Sequence, residues 1–260
     1  MNRKHRHNKA PGRASPAGRR TSPQDMWLYG RHAVEAALAN PARQRHLLVA
    51  TPEALRDLES AGSLPPDLPV EKVERQAIER RLPPGAVHQG LALQADPLPD
   101  VDLASAVFGK NLVLVLDQVQ DPHNIGAILR SAAVFGAGAV VLQDRHSPAA
   151  TGALAKSASG ALERLPLVRV VNLARGLDEL KDLGFWIVGL DAAGPERLDR
   201  IAGDRRIALV LGAEGAGLRR LSREACDILA KIPHAGGMAS LNVSNAAAVA
   251  LYVVRTALKD

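Results

Sequence analysis

Leu112-Val113-Leu114-Val115-Leu116 is an apolar run with no polar residue to mark an outer face. A strand of that kind is buried on both sides, the condition of a strand inside a parallel sheet covered by helices. The chain downstream repeats the pattern. Helical spacing from 124 to about 136 leads to an apolar strand at 139–143, a helix near 151–159 and a strand at 167–171. A helix at 173–183 and strands at 186–190, 207–211 and 228–232 follow. Strands alternating with helices predict an α/β fold with a mostly parallel sheet, whose ligands bind at the carboxyl ends of the strands.

Upstream the rhythm is shorter. A turn and helix at 27–38 stop at Asn40-Pro41, and strands are expected at 46–50, 70–73 and 87–94, with helices at 52–60 and 75–82 between them. These make a small α/β domain at 26–95. Pro97 and Pro99 mark a linker, placed at 96–108, before a second domain at 109–260. Residues 1–25 hold seven basic residues and one acid; removing seven of 33 basic and one of 27 acidic residues leaves 26 of each. The net charge of +6 therefore resides in this tail. A basic segment rich in Pro, Gly and Ser is expected to be a disordered tether for phosphate polymers. It has neither the apolar core of a secretory signal nor the amphipathic pattern of a transit peptide.

Other classes are disfavoured. The lone Cys226 allows no internal disulfide and no zinc cluster, which suits a reducing, cytoplasmic setting. No apolar run is long enough to span a bilayer, so no membrane partner is expected. Two Trp, two Tyr and three Phe do not cluster, so an RNA partner would be handled by shape, backbone and a pocket rather than by a stacking sheet.

Three glycine- and polar-rich stretches fall at strand ends. The first runs from Asp117 to Gly126, with Asn124 read as a helix cap and Arg130 off the buried stripe of Ile125, Ile128, Leu129, Ala132 and Ala133. The second is Leu211-Gly212-Ala213-Glu214-Gly215-Ala216-Gly217-Leu218. The third joins Ile232 to a last helix through Gly236, Gly237, Ser240, Leu241, Asn242, Ser244 and Asn245. Capping explains one Ser or Asn there, not four with a glycine pair. That helix shows one stripe at Ala246, Val249, Ala250, Val253, Val254 and Ala257 and a second apolar side at Ala247, Ala248, Leu251 and Tyr252. Such a helix is either buried or shared with a second copy. No GxxxxGK[ST], no GxGxxG after the first long strand, no Cys/His cluster and no GxSxG are present.

DPHNIGAILRSA, LVLGAEGAGL and IPHAGGMASLNVSNAAA, in this order, resemble the three motifs of the SpoU (TrmH-type) branch of the SPOUT superfamily, the RNA ribose 2′-O-methyltransferases. The resemblance covers 111–260. YGRHAVEAAL and HQG are similar to the substrate-recognition domain of the subgroup that methylates a guanosine of large-subunit ribosomal RNA. The resemblance implies a carboxyl-terminal trefoil knot, against the general rule that chains do not thread. It implies S-adenosylmethionine held in a bent pose, largely by backbone, with Gly212, Ile232 and Leu241 lining it. It also implies a homodimer with its sites near the interface. His234 stands where many relatives carry Met, and Asn245 where others are apolar.

By the same match the catalytic residues are Asn124, Arg130, Glu214, Ser240 and Asn242. The resemblance casts Arg130 as a base assisted by the RNA phosphate. A guanidinium stays protonated, so clamping that phosphate is the cheaper role. Glu214 is then a rival base, or a carboxylate capping a helix; Ser240 and Asn242 orient the ribose, or cap the last helix. Transfer RNA is the alternative substrate. A non-catalytic RNA-binding protein is a third reading, against which the intact polar set speaks.

Overall fold

A computed structural model describes residues 26–146, 151–201, 205–233, 235 and 241–258. The basic tail, His234, Gly236, Gly237 and Ser240 lie outside the described residues. The first sheet contains β1 (Trp27–Tyr29), β2 (Arg45–Ala50), β3 (Val70–Lys72) and β4 (Leu91–Ala95), in the order β1-β4-β2-β3. β4 is antiparallel to β1 and β2, and β2 is parallel to β3. Helices α1 (Arg31–Ala39), α2 (Pro52–Ser60) and α3 (Arg75–Glu79) connect them. Three residues are too few to show alternation, so β1 reads as a turn until β4 pairs with it. Thr51 starts α2 by accepting a hydrogen bond from the Ala54 amide, with Pro52 in the first turn, where no amide proton is needed.

The second sheet is formed by β5 (Leu112–Asp117), β6 (Val140–Gln143), β7 (Leu167–Val170), β8 (Phe185–Leu190), β9 (Glu196–Arg197), β10 (Arg206–Gly212) and β11 (Ile228–Lys231). Its order is β7-β6-β5-β10-β8-β11-β9 and its strand pairs are parallel. Around it lie α4 (Leu103–Val107), α5 (Pro122–Val134), α6 (Gly152–Ser157), α7 (Leu173–Asp182), α8 (Arg220–Glu224) and α9 (Val243–Ala257). Every residue of β5 is buried. Its alternation splits the core: Leu112, Leu114 and Leu116 pack with α5, α6 and α9, while Val113 and Val115 pack with α4 and α7. The expected linker thus carries a helix, α4, whose Leu103, Ala106 and Val107 belong to the second of these layers.

The last helix is rotated from the expected stripe. Val243, Ala247, Ala250, Leu251 and Val254 are buried, whereas Val249 and Tyr252 are 39% and 58% exposed. A helix apolar on both sides gives periodicity nothing to choose between, and packing against α5 makes the choice.

The two sheets do not have separate cores. Leu28, Val34, Leu48 and Leu93 share one apolar cluster with Leu154, Ala158 and Leu162. Residues 152–163 form the joint. A Cβ on Gly152 would overlap the Trp27 carbonyl, and one on Gly160 would stand 2.7 Å from Ala36 Cβ. Lys156 Nζ donates to the Val87 carbonyl. Glu163 accepts from Arg43 at 2.5 and 3.2 Å and from Asn40 Nδ2 at 2.8 Å, with the Arg43 and Glu163 side chains only 2% and 4% exposed. Removing one member of such a pair strands a buried charge. Glu163→Ala is therefore expected to cost about 3–5 kcal/mol, read from urea midpoints; a loss below about 1 kcal/mol would deny the pair that role.

His88 supplies a pH dependence. It is fully buried, its Nδ1 accepts from the Gly90 amide at 3.2 Å, and its Nε2 stands 3.8 Å from Glu79 Oε1 with no hydrogen-bond partner among the described residues. Burial, then the charge of Arg75, pushes the imidazole below its ordinary value despite the Glu79 carboxylate. The fold holds it neutral while the unfolded chain takes up a proton near pH about 6.5. Its contribution is present above that pH and is lost as the pH falls below it. His88→Gln should lose less stability than the parent between pH about 7.5 and about 5.5; equal losses would place the acid sensitivity elsewhere.

Candidate active site

β5 and β10 end side by side, with Asp117 in register with Gly212. Beyond β5 the chain turns into α5, and Asp121, not Asn124, is the cap: its carboxylate accepts from the His123 amide at 3.0 Å, with Pro122 in the first turn. Asn124 stands within that turn, its amide free for longer reach. A Cβ on Gly126 would overlap the Ser157 side chain, so α5 and α6 lie close, and Ser157 Oγ donates to the His123 carbonyl at 3.1 Å.

Beyond β10 the chain folds tightly on itself. A Cβ on Gly212 would overlap the backbone of Gly217 and Leu218. Gly217 N donates to the Ala213 carbonyl at 2.9 Å, and Gly215 and Gly217 take positive φ of 78° and 65°. Glu214 is carried on the outside of this turn. The third stretch enters α9 at Asn242, whose Oδ1 accepts from the Ser244 and Asn245 amides at 2.9 and 3.4 Å and from Ser244 Oγ at 2.6 Å.

All three stretches meet on one oxygen. Glu214 Oε1 accepts from Asn124 Nδ2 at 3.3 Å, Asn242 Nδ2 at 2.5 Å and the Val243 amide at 3.3 Å. Asn242 Nδ2 also reaches Asn124 Oδ1 at 3.1 Å, closing the triangle. The carboxylate faces the positive end of α9, where an anion is favoured. The capping alternative for Asn242 is what the structure shows: its Oδ1 caps the helix, while its Nδ2 donates into the junction.

Other expected residues stand apart from this triangle. Arg130 is exposed and makes no hydrogen bond or ion pair with another described residue; it shares a helix face with His123 and Val134. Ile232, just past β11, is half-buried against the larger apolar cluster, and Leu241 is 48% exposed. Gly212 is needed first by its own turn.

Sequence reasoning left two residues without a role. Asp117 is fully buried, and it accepts from the Arg219 amide at 2.9 Å and from Arg219 Nε at 2.6 Å. The available signal was a carboxylate closing an otherwise apolar strand. Burial, against the pull of Lys181 and helped by the Asp227 and Asp117 carboxylates, pushes the Cys226 thiol up to about 12, and its Sγ donates to the Ser222 carbonyl at 3.1 Å.

Residues 111–252 match the SpoU rRNA Methylase family, and residues 27–101 match the family of RNA 2'-O ribose methyltransferase substrate binding domains. The chain is 41% identical to the 23S rRNA (guanosine-2'-O-)-methyltransferase RlmB of Xylella fastidiosa strain 9a5c, over 88% of its own length and 95% of that protein. It is 46% identical to RlmB of Nitrosomonas europaea over 64% of its own length and 65% of that protein. The fold is similar to that of the SpoU methyltransferase AviRb from Streptomyces viridochromogenes, solved in complex with AdoMet. That likeness has a TM-score of 0.74 at 23% identity and covers 88% of this chain and 89% of that one. Matched by the family model across more than half of its residues and by a relative along most of its length, the chain belongs to the SpoU rRNA methylase family.

Proposed function

We propose that the chain transfers the methyl group of S-adenosylmethionine to the ribose 2′-hydroxyl of a guanosine in large-subunit ribosomal RNA. The observation that carries this reading is the meeting of Asn124, Glu214 and Asn242 on one carboxylate oxygen at the carboxyl ends of β5 and β10. The names of the RlmB relatives supply the substrate class.

The surroundings fit the donor. Positions beside Gly215 and Gly217 are open, so main chain is accessible there, and Ile232 and Leu241 offer apolar surface for an adenine. Bound beside Gly212, Ile232 and Leu241, S-adenosylmethionine supplies an electrophilic methyl on sulfonium. The protein's part is to align the ribose oxygen and remove its proton. Glu214 Oε1 is occupied by three donors, which leaves Oε2 to receive that proton. Arg130, with five donors and no partner among the described residues, clamps the phosphate beside the target ribose and stabilises the developing alkoxide. Ser240 and Asn242 orient the ribose.

Residues 26–95 receive the RNA and 109–260 carry out the transfer. The trefoil knot belongs to this reading: β10 is interposed between β5 and β8, and α9 packs against β10 and the turn at 198–200. So does a homodimer working in the cytoplasm. Val134, Val249 and Tyr252 are 73%, 39% and 58% exposed on the adjoining helices α5 and α9, and Tyr252 meets Phe135 edge to face at 6.0 Å. An apolar patch of this kind is an association surface.

Arg130→Ala should lower methyl transfer by about 100-fold or more while cofactor affinity stays within about twofold. The assay uses labelled cofactor with unmodified ribosomal and transfer RNA. Parallel loss of both quantities would sink the Arg130 role, and label entering transfer RNA alone would sink the substrate. Tyr252→Asp should turn a dimer into a monomer in light scattering; an unchanged mass would remove this patch as the interface.

A further inference from the structure

The turn that carries Glu214 is closed by its own backbone, Gly217 N donating to the Ala213 carbonyl at 2.9 Å and Ala216 N to the Glu214 carbonyl at 3.0 Å, so where it stands relative to its neighbours is set at its two ends. Residues 214–217 are exposed, and a single oxygen of Glu214 joins the turn to the other two stretches. Its first end is fixed by β10 and by the missing Cβ of Gly212. Its second end, Arg219, is fixed by a buried carboxylate. Asp117 accepts from the Arg219 amide on Oδ2 and from Nε on Oδ1, so main chain and side chain of one residue are gripped together. The guanidinium continues outward: Nη2 donates to Gln143 Oε1 at 2.9 Å, and Gln143 Nε2 donates to the Val171 carbonyl at 3.2 Å. One cation thus ties the end of the Glu214 turn to the ends of β5, β6 and β7.

We infer that Asp117 and Arg219 are positioning residues for methyl transfer: they set where the Glu214 carboxylate stands relative to Asn124 and Asn242. The inference rests on the function proposed above. The chemistry favours a positioning role over a purely stabilising one. An ion pair serving stability alone needs only charge and contact. Here the same carboxylate also orders the backbone amide of Arg219, and that amide lies five residues from Glu214. Misplacement of a reacting group by about 1 Å is enough to cost about 100-fold in rate.

The test uses the full chain with Arg219→Gln and Arg219→Lys, assayed at a temperature where circular dichroism shows each folded. Arg219→Gln should lower kcat by about 10- to 100-fold with the RNA KM within about twofold, and Arg219→Lys should recover part of the loss. Hydrogen exchange of amides 213–218, measured without RNA or cofactor, should be faster in Arg219→Gln. A kcat within about twofold of the parent would make the pair merely structural and overturn the inference. A loss confined to KM would make Arg219 an RNA contact and overturn it as well. If Arg219→Gln does not fold, Asp117→Asn replaces it, since an amide keeps an acceptor for the Arg219 amide while losing the charge; the same kcat drop is expected and an unchanged kcat overturns. Exchange is read without catalysis, so an inactive parent would defeat the proposed function, whereas unchanged exchange would defeat the clamp.

Discussion

A single carboxylate oxygen, Glu214 Oε1, receives three N–H donors drawn from the other two polar stretches of the chain. Asn242 Nδ2, which donates to both Glu214 and Asn124, closes the same junction. The donors are two neutral amides and the first free amide of α9, arranged around an anion at a helix end. Because Glu214, Asn242 and part of Asn124 face solvent, each bond competes with water and contributes modestly. The geometry must therefore be imposed from beneath. It is imposed by the ends of β5 and β10, where the fully buried Asp117 stands in register with Gly212, itself closed in by the Gly217 and Leu218 backbone.

That division explains what could be read in the sequence. Strands β5 and β10 are legible because a strand covered on both faces admits only apolar side chains, and any polar residue marks its end. Asp117 marks such an end, yet nothing local announces that its partner lies 102 positions away. The cap of α5 was misplaced for a related reason: Asp121 and Asn124 are both capable caps, and the choice falls to Pro122, which is at home in a first turn directly after Asp121. That displacement releases Asn124 for Glu214. The face of α9 was illegible because Val243, Ala247 and Leu251 on one side are no more apolar than Val249 and Val253 on the other. Packing resolves what composition leaves degenerate.

The domain boundary shows the same limit at larger scale. Pro97 and Pro99 read as a linker between two units, and the helix at Leu103–Val107 shortens it from the far side. What a linear reading misses is that residues 152–163, deep in the second unit's sequence, pack on the first. The Arg43–Glu163 pair spans 120 positions and is almost wholly buried. Two freely hinged units would not share a buried ion pair whose two charges must both be satisfied for either to be tolerated.

This joint bears on how a substrate is read. Lys156 and Ser157 are neighbours on α6, and they bind in two directions. Lys156 holds the Val87 carbonyl beside the His88-Gln89-Gly90 turn of the first unit, and Ser157 holds the His123 carbonyl one residue before Asn124. Gly126 and Gly152 leave α6 no slack on either side, since a Cβ at either position would overlap its neighbour. The polar junction and the first unit are therefore spaced by a packed helix rather than by a flexible tether. The region matched by the substrate-binding family, 27–101, is thus held at a fixed spacing from the Glu214 junction by α6.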